Sequence, residues 1–196
     1  MTALFAGLTT LDVLHRLDHV PDPGLKVTST DFTMAAGGPA TNAAVTYAAL
    51  VAATRAPSAD EAEANSPAPF PSGEAPTLLT ALGEGPVSAF LAADLASAGV
   101  RVLDATAPTP PDHPSALGER GAAPASSLRE PAVSSIIEHP SGRMVASTNA
   151  RLDADAGRVA AHLPERVGAV LIDGHNPALA HAALTLGAPE VDGEDP

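Results

Sequence analysis

Residues 77–104 read TLLTALGEGPVSAFLAADLASAGVRVLD, and the order of residue types in them decides the fold. An apolar run, Thr77 to Leu82, ends in a turn carrying Gly83 and Gly85. Val87 to Ala98 follows, rich in Ala and Leu and suited to a helix. After Gly99 the chain returns to β-branched and apolar residues, Val100 to Asp104. Strand, helix and strand at these lengths form a βαβ unit, which places the two strands parallel. Working outward, Leu4 to Leu8 has the pattern of a buried parallel strand feeding a loop that contains Asp12. Val27 to Met34 (VTSTDFTM) suits a strand with at least one wet face. Val133 to Thr148 reads as a hairpin, VSSIIEH turning through PSG into RMVAST. Asp153 to Leu163 is predicted helical, Ala169 to Asp173 (AVLID) a strand and Ala178 to Leu186 a helix. Strands alternating with helices predict an α/β fold, a parallel sheet with helices on both faces.

A second stretch carries the candidate chemistry. Residues 35–50 read AAGGPATNAAVTYAAL. Pro39 fits the first helical position, where its missing N–H costs nothing, so Gly38 is the N-cap and Asn42 falls in the first turn. Asparagine is a poor helix-interior residue and is not needed there as a cap. Beside a glycine pair, at the positive end of a helix, its amide is well placed for a polar ligand. An ordinary surface Asn on a Gly-Pro turn accounts for these residues equally well.

Composition bounds the function. The chain of 196 residues supports one domain with a real core, or one domain with a small appendage. Hydrophobic residues make up 45%, mostly Ala, Val and Leu, with only 3% aromatics, so the core is built of small aliphatics. A formal charge of -13 argues against nucleic acid as a partner and against an anionic membrane surface. With no cysteine, disulfides, Cys-ligated zinc and thiol catalysis are excluded, which suits a cytoplasmic protein. The start MTALFAGLTTLDV lacks the basic n-region of a signal peptide, and no apolar run reaches the ~20 residues of a membrane span. The seven histidines show no metal-ligand spacing, so no metal site is expected. Residues 52–76 and 105–131, rich in Pro, Ala, Ser and Gly, read as flexible surface insertions.

The turn GEGPVS, with Asp104 closing the next strand, raises a dinucleotide-binding alternative. Ser88 stands where that fingerprint needs its third glycine, and Glu84 would set a carboxylate beside a pyrophosphate. A plain tight strand-to-helix turn accounts for the same residues more simply.

Taken together, GGPATNAA, the early Asp12, LLTALGEGP…LAADLASAGV and SSIIEHPSGRM resemble the ribokinase-like sugar kinases of the PfkB family. The resemblance runs from Leu4 to about Leu186 outside the two insertions, and its most specific element is the glycine pair with Asn four residues after the second glycine. It implies a ribokinase-like fold with a small β-lid, and a substrate site made of Asp12, Gly37, Gly38 and Asn42. A carboxylate accepts from two hydroxyls while an amide donates and accepts, so the pair suits a diol. Lid segments would span about 13–34 and 133–148, and in this family the lid is often a homodimer contact. The implied activity is ATP-dependent phosphorylation of a carbohydrate hydroxyl with Mg²⁺. There are departures. Glu84 replaces a usual Asp, and Pro39-Ala40 stands where some ribokinases have Lys-Gly, which disfavours ribose. Arg143 and Arg151, in or just after the hairpin, are candidates for a sugar phosphate, with a solvated turn residue the plainer reading of Arg143. His175, in IDGHNP, is either a ligand contact or a loop histidine bonded to backbone.

The family's nucleotide site, its Gly-Ala-Gly-Asp anion hole and its catalytic aspartate lie downstream of the position of Leu186. Here the sequence continues as GAPEVDGEDP, so residues 1–188 are expected to form a partial ribokinase-like domain followed by an acidic tail, 189–196. On that expectation the C-terminal part is missing, and with it the catalytic base and nucleotide site. Asp173, closing AVLID, is the best remaining substitute for the base. A non-catalytic sugar-binding or interaction module is the alternative from a different functional class.

Overall fold

The computed structural model describes residues 2–55, 75–108, 129–149 and 152–187. Along the chain run β1 (Thr2–Ala6), β2 (Thr10–Arg16), β3 (Asp31–Gly37), α1 (Pro39–Arg55), β4 (Thr77–Thr80), α2 (Pro86–Ser97) and β5 (Arg101–Asp104). After these come β6 (Ala132–His139), β7 (Gly142–Ser147), a 3-10 helix (Ala156–His162), β8 (Val167–Ile172) and α3 (Pro177–Gly187).

The βαβ unit of residues 77–104 forms as its residue pattern predicts. Strands β5, β4, β1 and β8 lie side by side in that order, every pairing parallel. Alternation in β1 sends its residues to opposite faces. Ala3 and Phe5 pack with Leu78, with Ala40, Ala44 and Ala48 of α1, and with Leu95 of α2. Leu4 and Ala6 pack with Leu79, Val159 and Leu179 and Ala183 of α3 on the other face. The three alanines of α1 recur every fourth residue and are fully buried, so the helix backbone approaches the sheet closely. The result is an α/β layer with helices on both faces.

A second sheet, ordered β3-β2-β6-β7, stands beside the first. Strand β2 is its hub, antiparallel to β3 and parallel to β6, while β6 and β7 form the hairpin. Leu11 of β2 packs with Leu82 and Leu91, and Val13, Ala36 and Val133 join that cluster, which seats the base of this sheet on α2. Asp94 of α2 adds a polar tie, its Oδ2 accepting from the Ala36 N–H at 2.8 Å.

Several boundaries differ from the sequence expectation, among them β1, which is Thr2–Ala6 and not Leu4–Leu8, and β8, which is Val167–Ile172 and not Ala169–Asp173. Asp12 lies within β2, not in a loop. Ladder bonds to β3 on one side and β6 on the other outweigh the low strand propensity of a lone Asp on the open face. Strand β3 begins at Asp31, not Val27, because its register runs from Asp31 opposite Arg16 to Gly37 opposite Thr10. Residues 156–162 form a 3-10 helix, capped by Asp155, whose Oδ1 accepts from Gly157 N at 3.0 Å. Helix α1 runs to Arg55, so residues 52–55 belong to it and not to an insertion. In the other stretch, Ala105 and Thr106 are buried, and Thr106 bridges to Ala154. Pro76 and Pro131, which close the two stretches, are buried rather than on the surface, while residues 56–74, 109–128 and the acidic tail lie outside the described residues, as does Arg151.

Candidate functional site

The site begins where the two sheets meet. Strand β1 ends at Ala6, and Gly7, Leu8 and Thr9 carry the chain over to β2. Asp12 is half-buried on β2, and its Oδ1 accepts from the Thr10 hydroxyl at 2.7 Å. Gly37 sits on the same face of the neighbouring strand, so close that a Cβ there would lie 2.0 Å from Asp12 Oδ2. The absent side chain is thus what admits the carboxylate.

Gly38 has a different reason to be glycine. Its φ is +105°, and a Cβ would stand 2.3 Å from the Leu8 carbonyl oxygen. It also opens α1, its carbonyl accepting from the Asn42 N–H at 2.8 Å. Asn42 is exposed in the first turn, and its side-chain amide has no hydrogen-bond partner among the described residues. The structure therefore brings Asp12 and Gly37 into contact, with Gly38 adjoining them and the Asn42 amide free one turn into α1.

Beside this cluster, at the C-terminal ends of β1, β4 and β8, Gly7, Leu8, Thr9, Thr80, Ala81 and Asn176 line most of a shallow cleft that is partly open to solvent. Ligands of open α/β sheets bind at this end of the strands. None of Asp12, Gly37, Gly38 or Asn42 lines the cleft itself. Its floor is braced by Thr9, whose Oγ1 is 2.8 Å from Thr41 Oγ1 and 2.9 Å from Thr80 Oγ1, all three side chains being buried. Sequence reasoning missed this trio. Its available signal was Thr41, a β-branched hydroxyl in the first turn on the sheet-facing side of α1.

Asp173 is not poised as a base. It is buried at the end of β8, and Oδ2 accepts from the Leu8 N–H at 2.9 Å and the Ala40 N–H at 3.1 Å, while Oδ1 accepts from the His175 N–H at 3.0 Å. His175 itself is exposed. Arg143 is exposed on β7 opposite Glu138, in a row across the second sheet that also holds Arg16 and Asp31. Arg16 bridges that row, 3.1 Å from Glu138 and 3.9 Å from Asp31.

The Gly83–Gly85 turn is not open to the phosphates of a dinucleotide. In the Gly83–Gly85 turn the Arg129 carbonyl accepts the Glu84 N–H at 2.8 Å and would lie 1.6 Å from a Cβ at Gly83. The turn is already filled, and the Glu84 carboxylate stands beside it, 3.4 Å from the Arg129 guanidinium. Asp104 turns one carboxylate oxygen back to the chain, its Oδ1 accepting from Leu82 N, Thr106 N and the Thr106 hydroxyl. Ser88, at the third fingerprint position, is buried and donates to the Leu82 carbonyl at 2.8 Å. Among the described residues no group of three or more His, Cys, Asp or Glu is placed to hold a metal ion, and no helix is long and apolar enough to cross a membrane.

No protein-family model matches the chain, and no curated protein does. Solved structures do. A putative ribokinase from Agrobacterium tumefaciens superposes with a TM-score of 0.57 at 19% identity over 94% of this chain and 48% of its own. A microbiome-derived acarbose kinase gives 0.59 at 14% identity over 94% of this chain and 48% of its own. The ribokinase of Arabidopsis thaliana, solved with ribose and ATP, gives 0.52 at 14% identity over 96% and 51%. The chain spans about half the length of these structures. Over the part it spans, it has the ribokinase-like fold of the carbohydrate kinases.

Proposed function

We propose that this chain is the sugar-binding side of a PfkB-family carbohydrate kinase, with Asp12, Gly37, Gly38 and Asn42 as the substrate site and the second sheet as its lid. The observation that carries the reading is the fit of the Asp12 carboxylate against Gly37, where a Cβ would lie 2.0 Å from Oδ2. A carboxylate braced by the Thr10 hydroxyl and an unengaged amide at a helix start supply the acceptors and donor that a vicinal diol needs. The activity proposed for the whole protein is ATP-dependent phosphorylation of a carbohydrate hydroxyl. This chain's share is to bind and orient the sugar, since Asp173 is engaged by three backbone N–H groups and the Gly83–Gly85 turn is filled by the Arg129 carbonyl.

The filled Gly83–Gly85 turn and the occupied Asp173 favour one second reading, a non-catalytic sugar-binding or interaction module. Under either reading the substitutions Asp12→Ala and Asn42→Ala each weaken sugar binding by about 1 to 3 kcal/mol, since each strands hydroxyls that have lost their water. Calorimetry on a panel of hexoses, pentoses and nucleosides is the check. Unchanged affinity in both variants for a sugar that the parent chain binds would overturn the assigned site.

A further inference from the structure

Helix α1 starts without the usual means of satisfying its free N–H groups. Its N-cap is Gly38, which has no side chain, and its first turn holds no acidic residue. Ala40 is fully buried, so its N–H has no access to water. The missing acceptor arrives from the far end of the sequence, because Asp173 Oδ2 accepts from Ala40 N and from Leu8 N, at 3.1 and 2.9 Å. The same carboxylate holds the His175 N–H through Oδ1. Space is reserved for it, since a Cβ at Gly7 would fall 2.2 Å from the Asp173 carboxyl carbon. Leu8, held by its N–H in this way, turns its carbonyl to the Thr41 hydroxyl at 3.1 Å and forms the wall that requires glycine at position 38.

We propose that Asp173 is a positioning residue for the sugar site. As a built-in anion it fills the positive end of α1, locks Leu8 to Ala40, and so sets where the glycine pair and Asn42 stand. This deepens the sugar-site reading and rests on it. It also names the substrate class. With the helix terminus already neutralised, and Asp12 the charged group facing the ligand, the site takes an uncharged polyol and rejects a phosphate or carboxylate at this end.

The test is Asp173→Ala in the 196-residue chain, titrated with D-ribose, D-fructose and D-glucose and with the phosphate ester of whichever binds. Amide hydrogen exchange at Leu8, Ala40 and His175 is followed in parallel. The expected result is a loss of sugar affinity of about tenfold, with Leu8 and Ala40 losing protection. Sodium formate should restore both by occupying the vacated site, whereas chloride at equal ionic strength should not. A general loss of stability would show no such preference for a carboxylate. Loss of affinity with Leu8 and Ala40 still protected would mean that Asp173 touches the sugar itself, which overturns the proposal, as would unchanged affinity and exchange. Tighter binding of the phosphate ester than of the sugar by the parent chain overturns the substrate class. If the parent binds none of the three sugars, the sugar-site reading fails, and the exchange and formate readouts still decide whether Asp173 anchors α1. Should Asp173→Ala not fold, Asp173→Asn keeps the shape with a single acceptor oxygen, and Gly7→Ala displaces the carboxylate by contact; both are judged by the same readouts.

Discussion

Gly37 and Gly38 are neighbours in the chain, yet they are glycines for unrelated reasons, and substitution should separate the two. At Gly37 an added Cβ meets the end of a side chain, the Asp12 carboxylate at 2.0 Å. The carboxylate can swing away at little cost to the fold and with the loss of its aim. At Gly38 the obstacle is backbone, the Leu8 carbonyl at 2.3 Å, and φ is +105°. Neither relaxes without moving the start of α1. Gly37→Ala is therefore expected to weaken sugar binding while costing no more than about 1 kcal/mol of stability, whereas Gly38→Ala should cost about 2 to 3 kcal/mol. Urea unfolding beside calorimetry measures both quantities on each variant. Equal stability losses would contradict the assignment of separate roles.

At the scale of elements, the second sheet presents two unlike faces. One carries Asp12 near its base, the charged row Asp31, Arg16, Glu138 and Arg143 at its tip, and Leu14, Ile136 and Val145 between them. The other carries the row Phe32, His15, Ile137 and Met144, with Met34 alongside. Phe32 is 51% exposed, Met34 40% and Met144 56%, and the Phe32 ring rests against His15 with centroids 5.0 Å apart. Such a contiguous apolar stripe on a sheet is the mark of an interaction surface. The homodimer implied by the family resemblance would use this face. We expect the doubly substituted Phe32→Asp, Met144→Asp chain to shift toward the monomer in light scattering coupled to size exclusion, with unchanged sugar affinity because Asp12 lies on the opposite face. A parent chain that is monomeric at 100 μM or above, at the weak end of dimer affinities on the scale where 1 μM corresponds to about 8 kcal/mol, would sink the dimer.

For the molecule as a whole, the question is whether this chain transfers phosphate. Phosphoryl transfer depends on positioned donors and charge stabilisation more than on covalent chemistry by the protein. Here the strand-to-helix turn at Gly83 is filled by Arg129, the α1 terminus is filled by Asp173, and the net charge is -13. We expect no sugar-dependent ADP release from the 196-residue chain with Mg-ATP, even at sugar concentrations that saturate the proposed site. We expect release from a version extended in frame with the downstream half of a ribokinase-like kinase. Sugar-dependent turnover by the chain alone, abolished by Asp173→Asn, would show that the catalytic residues have been misplaced. Sugar binding without turnover in either version would favour the non-catalytic module.

The local order of residues was enough for the elements of the parallel sheet. Gly83, Gly85 and Gly99 punctuate the βαβ unit, and apolar runs of strand and helix length lie between them, so residues 77–104 read correctly without any tertiary information. The start of α1 was equally legible, because Pro39 after Gly38 has a local steric meaning. What residue order left open depends on partners distant in sequence. Asp12 became a strand residue because Thr10–Arg16 gained ladder partners at residues 31–37 and 132–138. Asp173, 133 residues from Ala40, proved to be the acceptor that the helix start lacked. Both effects are hydrogen bonds closed over long loops. Periodicity, which reports only the neighbours along one element, carries no trace of them.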